Sequence, residues 1–443
     1  MIMDFYFILL FFIFPIIAVY IYNKLFSSVL SPTIPSFLII ALLTLAYVGT
    51  ISFYFHLDSF SYKIGIDNKE HIMYMLFANI WTISSVILGF IYAKYVLKMG
   101  TIESNYANSR QLNLNENIII FILFLIGITV LYMYLSKVPQ IALLVALSDS
   151  DESIDMARNL MGNSFGGNWH WYKLYGNQML VLITFIYFAS WLIKKNIFNF
   201  TLFFTSFLVS SFAVLSIAKK SQFVWLIIGL LIVYTMIKLK GRINVRYLLI
   251  SIISIFVFLY ITYSLFIPSY EGKLFLILEK ILSRISIGLS GAYFIFDYIP
   301  KENDFLLGST FPNPGGILPH TPFNLNVKLF EFVHPEMLEL DIVGNKNSVF
   351  WMEAYANFGV FGILILPFIV GLIIYFISHV LNRLEKTPIV IGTIVFLMLH
   401  YKDISITGIS SYVIDIKLFF LVVPLLLAML MVNLKLHKRK VIV

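Results

Sequence analysis

Cysteine is absent from the chain, which removes disulfides, zinc-thiolate sites, iron-sulfur clusters and cysteine nucleophiles at once. Charge is scarce as well, with Asp, Glu, Lys and Arg making up 12% of 443 residues. That is too little polar surface to cover a water-soluble globule of this length. The usual marks of nucleotide and metal chemistry are missing too: there is no P-loop, no GxSxG elbow and no HExxH, and Asp149 and Asp151 form only an isolated Asp-Ser-Asp. Any chemistry is therefore expected to run without ATP, without a cofactor and without a tightly held metal, on energy that arrives with the substrate. No internal repeat is found, so nothing points to the inverted duplication of many transporters.

What is present is apolar. Hydrophobic residues make up 60% of the chain and aromatic residues 17%, with a mean hydropathy of +0.90. Runs of about 20 apolar residues are long enough to cross a bilayer. They occur at Phe5 to Tyr22, Ile34 to Phe55, Ile72 to Ala93, Ile118 to Leu135, Gln178 to Ile193 and Phe200 to Ile217. Five more follow at Phe223 to Leu239, Tyr247 to Ile267, Val349 to Ser378, Thr387 to Tyr401 and Leu418 to Leu434. The expectation is one integral membrane domain over 1–443, an all-α polytopic protein of about 11 spans (10–12). The first run lacks a basic front and a small-residue cleavage pattern, so it reads as a retained span. The Thr387 span is the weakest of the set, and the Val349 span is long enough to tilt and to kink at Pro367.

Lys and Arg set the orientation. Of 31 basic residues, 16 fall in short connections on one side, from Lys24 through Lys94, Lys98, Arg110, Lys194, Lys195 and Lys238 to the C-terminal group ending at Lys440. Cytoplasmic loops retain positive charge, which places the N-terminus outside and the C-terminus inside. The net charge of +8 is thus a matter of topology rather than of nucleic-acid binding. Two sizeable loops, 136–177 and 268–348, then face outward. Within the second, Glu279 to Ile299 is amphipathic at helical spacing, as an interfacial segment would be.

Chemistry-bearing residues concentrate on that side. Arg158 and Arg284 are the arginines of the two loops, and a guanidinium offers a fixed fork of donors matched to phosphate oxygens. Pairing with Asp155 or Glu279, or anchoring at lipid headgroups, explains each equally well. Lys219 and Lys220 form a short turn between two apolar runs, suited to an anion or simply to headgroups. His320 is held in Leu-Pro-His-Thr-Pro between two prolines, and an imidazole is a side chain suited to proton transfer at working pH. His170 and His334 are weaker candidates, while His56, His71, His379, His400 and His437 sit at span ends where a polar residue needs no special reason. Glu353 is the one acid set inside an apolar run, with Asn357 a helical turn further on and Tyr355 beside them. A position at the water boundary, capping the span, is its alternative. Gly359 and Gly362, at i and i+3, read as close helix packing.

Three stretches carry a resemblance: Phe-Leu-Leu-Gly-Ser-Thr from Phe305, Pro-His-Thr-Pro from Pro319, and Asn347-Ser348 followed by Glu-Ala-Tyr-Ala-Asn-Phe-Gly-Val-Phe-Gly. With these, the chain resembles the O-antigen and capsule repeat-unit polymerases, integral membrane glycosyltransferases of the bacterial cytoplasmic (inner) membrane. Many members have an even number of spans, and where relatives carry an arginine in the middle turn this chain has Lys219 and Lys220. The resemblance implies transfer of a growing glycan from undecaprenyl pyrophosphate to another lipid-linked repeat unit, in an active site facing the periplasm. Arg158 and Arg284 would bind the two pyrophosphates, Lys219 and Lys220 would add positive potential, and His320 or Glu353 would take the proton of the attacking hydroxyl. Trp169, Trp171 and Tyr172, with Tyr355 and Asn357, would contact sugars. The expected partners are the undecaprenyl-pyrophosphate-linked oligosaccharide, membrane lipids and a chain-length regulator. The alternatives are the related ligase that moves glycan onto lipid A core, and a non-enzymatic lipid-linked oligosaccharide flippase or transporter.

Overall fold

The computed structural model describes residues 2–57, 59–147, 154–163, 169–218, 220–243, 274–313, 316–338, 344–413 and 415–430, with isolated positions between 246 and 260. Among these residues there are helices and no strands. Among the described residues nine helices are long and apolar enough to cross a membrane: Ile2–Leu25, Ile34–Tyr54, Lys69–Val96, Leu114–Leu135, His170–Ile193, Ile197–Leu215, Ser221–Lys238, Phe350–Arg383 and Pro388–Ser405. The protein is an all-α, multi-pass membrane protein. Leu418–Leu430 is a shorter apolar helix at the position of the last expected span. The span expected at Tyr247 to Ile267 falls largely outside the described residues.

By their contacts the residues group into two compact units. The first unit comprises 1–102, 243–380 and 401–414. Its helices meet through aromatic rings and small residues. Phe7 stacks on Tyr54 at 3.8 Å between ring centres, and the Tyr54 hydroxyl donates to Asp4, which also receives Lys69. Lys69–Val96 crosses Phe350–Arg383 at glycines. A side chain on Gly89 would stand 2.4 Å from the Phe368 carbonyl, and one on Gly371 would stand 2.4 Å from that of Val86. Only glycine permits backbones to approach so closely. The Trp351 indole N–H donates to the buried Asn79 amide at 3.2 Å, which settles a polar pair inside the unit.

The second unit comprises 103–242, 381–400 and 415–443. Gly229 lets Phe185 lie against the Ser221–Lys238 helix, and Gly392 lets Ile186 lie against Pro388–Ser405. Asn113 and Glu116 cap Leu114–Leu135 reciprocally, the Asn113 side chain accepting from the Glu116 N–H at 2.8 Å and Glu116 accepting from the Asn113 N–H at 2.9 Å. The same Glu116 carboxylate, fully buried, receives both terminal nitrogens of Arg110 at 2.6 and 2.7 Å.

Two features of the helices depart from the sequence reading. The Thr387 span, weakest by hydropathy, is the most enclosed of the nine, with 89% of its apolar window buried. A helix surrounded by protein need not match the hydropathy of one facing lipid. The long helix Phe350–Arg383 breaks not at Pro367 but at Phe358 and Gly359, where Gly359 has φ 61° and ψ −145°. That conformation is essentially reserved to glycine. Gly359 and Gly362 therefore serve the break rather than a crossing with a second helix. A side chain on Gly362 would meet the Ala354 carbonyl of its own chain at 2.0 Å.

Candidate functional site

The break in Phe350–Arg383 leaves backbone carbonyls without helical partners, and a loop takes them. The Leu306 N–H donates to the Ala356 carbonyl at 2.9 Å and the Leu307 N–H to that of Asn357 at 3.0 Å. The Asn357 side chain completes the join: its oxygen accepts from the Gly308 N–H at 2.9 Å, and its nitrogen donates to the Thr310 hydroxyl and to the Glu353 carbonyl, each at 2.8 Å. Asn357 is fully buried, and these bonds occupy both ends of its amide. Leu307 and Gly308 both take positive φ to make the turn, and the Phe305 ring packs where a side chain on Gly359 would be. Tyr355 stands edge-on to Phe305 and Phe296 at 5.9 and 5.4 Å.

Glu353 lies in this join, 4% exposed. Its Oε2 accepts from the Ser410 N–H at 3.1 Å, with Thr310 and Ile409 alongside. Gly408 leaves it room, since a methyl group there would sit 1.7 Å from Oε2. The segment 408–410 thus closes over the carboxylate, and Glu353 ties three stretches of chain together.

His320 rides on the loop that Asn357 anchors. The Phe323 N–H donates to the Ser309 carbonyl at 2.7 Å and closes the loop at its base. Inside, the Asn313 side chain accepts from the Leu318 N–H at 2.8 Å and donates to the carbonyls of Leu318 and His320 at 2.8 and 2.7 Å. Asn313 is a residue the sequence reading missed; the Pro-Asn-Pro-Gly around it was a signal for such a turn. His320 Nε2 stands 3.1 Å from the Phe311 carbonyl. A carbonyl only accepts, so Nε2 carries a hydrogen, and in the neutral ring Nδ1 then presents its lone pair. This is the state a general base requires.

Of the cationic candidates, Arg158, Lys219 and Lys220 belong to the second unit and Arg284 to the first. Arg158, in the helix Ile154–Asn163, donates through Nε to the Ile217 carbonyl at 3.2 Å and through Nη2 to that of Ala218 at 2.7 Å. The two carbonyls it grips directly precede Lys219 in the sequence. Ile217 also lines a shallow cleft with Tyr134, Tyr172, Lys173, Asn177 and Ser216. Lys137 donates to the Tyr172 hydroxyl at 2.9 Å on the same face. Trp171 is 45% exposed and meets Tyr175 and Phe420 rather than Tyr172.

Several candidates lie outside what is described. Lys219 is outside the described residues, as are the side chains of Lys220 at the start of Lys220–Lys238, Trp169 at the start of Trp169–Lys173 and Arg284 within Leu274–Ile287. Among the described residues no cluster of His, Asp and Glu has the makings of a metal site.

Two further groups involve histidines that rank low in the sequence, His334 as a weaker candidate and His400 as a span end. His334 Nδ1 pairs with Glu336 at 3.2 Å while its Nε2 meets the Lys346 ammonium at 3.0 Å. Lys346 is buried, and burial pushes its ammonium down to about 8. His400, read as an unremarkable span end, is buried between Asp415 at 2.8 Å and Lys417 at 2.9 Å. No periodicity links His400 to residues 15 and 17 positions away, and only the fold brings them together.

No family model, no curated protein and no solved structure matches the chain.

Proposed function

We propose that the chain is a polymerase of lipid-linked oligosaccharide repeat units in the bacterial inner membrane, with its active site on the periplasmic side. One observation carries this reading. Two stretches on which the resemblance to repeat-unit polymerases rests, Phe305 to Thr310 and Glu353 to Gly362, are joined by four hydrogen bonds at Asn357 and Ala356, and the loop so anchored presents His320. Residues far apart in sequence thereby form one device.

In this reading His320 Nδ1 takes the proton of the attacking sugar hydroxyl, with Nε2 held by the Phe311 carbonyl. The bond from the anomeric carbon to the carrier pyrophosphate breaks as the new glycosidic bond forms. The resemblance gives Arg158, Lys219 and Lys220 the binding of a carrier diphosphate, a task for cations where many glycosyltransferases use a divalent metal. Glu353, enclosed by Ser410 and Gly408, holds the loop rather than exchanging protons.

The test is elongation by purified protein given two lipid-linked repeat units without nucleotide, together with the glycan profile of cells. His320→Ala and Arg158→Ala are expected to shorten chains to single repeats, with general-base removal costing about 10²- to 10⁴-fold in rate. Long chains of normal distribution in both strains would overturn the reading. Free lipid-linked polymer in a deletion strain would move the assignment to the ligase, and loss of activity only on chelation would remove the metal-free mechanism.

A further inference from the structure

The second unit carries an exposed aromatic ledge that the site above does not use. Trp171 packs edge-on against Phe420 at 5.2 Å and parallel to Tyr175 at 6.3 Å, and the Tyr175 hydroxyl donates to the Phe420 carbonyl at 3.4 Å. Trp171 and Phe420 are 45% and 49% exposed. Tyr175 and Phe420 each lie in a widened, π-helical turn, Leu174–Gln178 and Leu418–Val422, which recur at functional sites because they re-aim side chains.

Lys417 stands one helical turn before Phe420. Its ammonium donates to His400 Nδ1 at 2.9 Å, and His400 Nε2–H donates to Asp415 Oδ2 at 2.8 Å. The other Asp415 oxygen accepts from the N–H groups of Lys417 and Leu418 at 2.9 and 3.1 Å. Burial pushes the Asp415 carboxyl up, but the His400 hydrogen bond and the groups around it bring it below the usual carboxylate range. The result is an anionic carboxylate, a neutral imidazole with a fixed tautomer and a cationic amine in a row. His400 and Asp415 are 5% and 2% exposed, whereas Lys417 is only half-buried. A buried pair of this kind is expensive in an apolar body, and it holds one long, flexible cation in a single place.

We propose that Lys417 with Trp171 and Phe420 forms a binding subsite for the headgroup of a lipid-linked sugar phosphate. Each part of that ligand has a matching surface. The fixed ammonium takes a phosphate oxygen, the exposed ring faces take the apolar face of a sugar, and the apolar helices beginning there, His170–Ile193 and Leu418–Leu430, receive the lipid tail. His400 and Asp415 are positioning residues that act through Lys417. The subsite deepens the polymerase reading, and rests on it for the length of the lipid and for the diphosphate.

The experiment uses the full-length protein in phosphatidylcholine nanodiscs. It is titrated with a polyprenyl diphosphate bearing a disaccharide, the same lipid without sugar, and phosphatidylglycerol. Lys417→Met is expected to weaken both diphosphates by about tenfold or more, the worth of one charge-assisted hydrogen bond. Trp171→Ala is expected to weaken the glycosylated lipid by about tenfold and leave the bare diphosphate unchanged, since stacking is read only when a sugar is present. Lys417→Arg retains binding and His400→Gln loses part of it.

Unchanged diphosphate affinity in a folded Lys417→Met protein overturns the subsite, as does equal loss for both diphosphates in Trp171→Ala, or phosphatidylglycerol binding as tightly as the glycosylated lipid. Should Lys417→Met fail to fold, the exposed Trp171 decides the matter. Binding is read without turnover, so tight sugar-dependent binding with no elongation would discard the polymerase reading and keep the subsite.

Discussion

Asn357 donates to the Thr310 hydroxyl at 2.8 Å across 47 residues of sequence, and in doing so fastens the histidine-bearing loop to a break in a membrane helix. The relationship makes a specific demand on the variant Asn357→Ala. It leaves the half-buried Gly308 N–H without its partner and removes one of the two partners of the Thr310 hydroxyl, at a cost of about 1 kcal/mol for each bond lost. The expected result is a lower melting temperature and protease sensitivity between Gly308 and Phe323. Unchanged proteolysis of that loop would show that Asn357 does not anchor it.

Glu353 and Gly408 test whether the buried carboxylate is structural. Glu353→Gln keeps an oxygen for the Ser410 N–H and is expected to retain elongation, while Gly408→Ala drives a methyl group into the carboxylate's place and is expected to lower stability and activity together. A Glu353→Gln protein with unaltered melting and no elongation would assign proton transfer to Glu353 in place of His320.

Lys346 gives a pH signature. In the folded chain its ammonium titrates near 8 against 10.5 for the free side chain. Between those values the unfolded chain keeps a proton that the folded chain has released, so stability rises with pH through this window and is flat in this respect below it. Lys346→Met is expected to remove that rise, read as melting temperature against pH from 7 to about 10.5. Parallel curves for the two proteins would show that the His334 contact offsets the burial of the amine.

Arg110 holds the buried Glu116 through two hydrogen bonds and pairs through Nε with Glu385 at 2.7 Å. Removing one partner of a buried pair costs about 3–5 kcal/mol. Arg110→Ala is expected to unfold the second unit readily in detergent, and Arg110→Ala with Glu116→Gln to recover part of the loss. A single variant that melts with the wild type would mean that water replaces the arginine.

The membrane fold was legible because spans announce themselves one at a time: ten of the eleven expected runs coincide with apolar helices, and helical spacing alone paired Glu353 with Asn357. What stayed hidden depends on long-range closure. The break at Gly359 is specified by a loop some 50 residues earlier, so proline at 367 was the more visible and misleading sign. Asn313 reads as one turn residue among many until its amide is seen bridging Leu318 and His320. His400 looks like any polar residue at a helix end, because Asp415 and Lys417 reach it only after the chain has turned back.

Gly359 divides a 34-residue helix into a short arm and a long shaft. The shaft is gripped through Gly371 by the neighbouring helix, whereas the arm, from Phe350 to Asn357, is bonded to the loop that bears the imidazole. The break thus frees the last carbonyls of the arm for the loop while the shaft keeps its own packing, so one continuous stretch of chain serves two different neighbours.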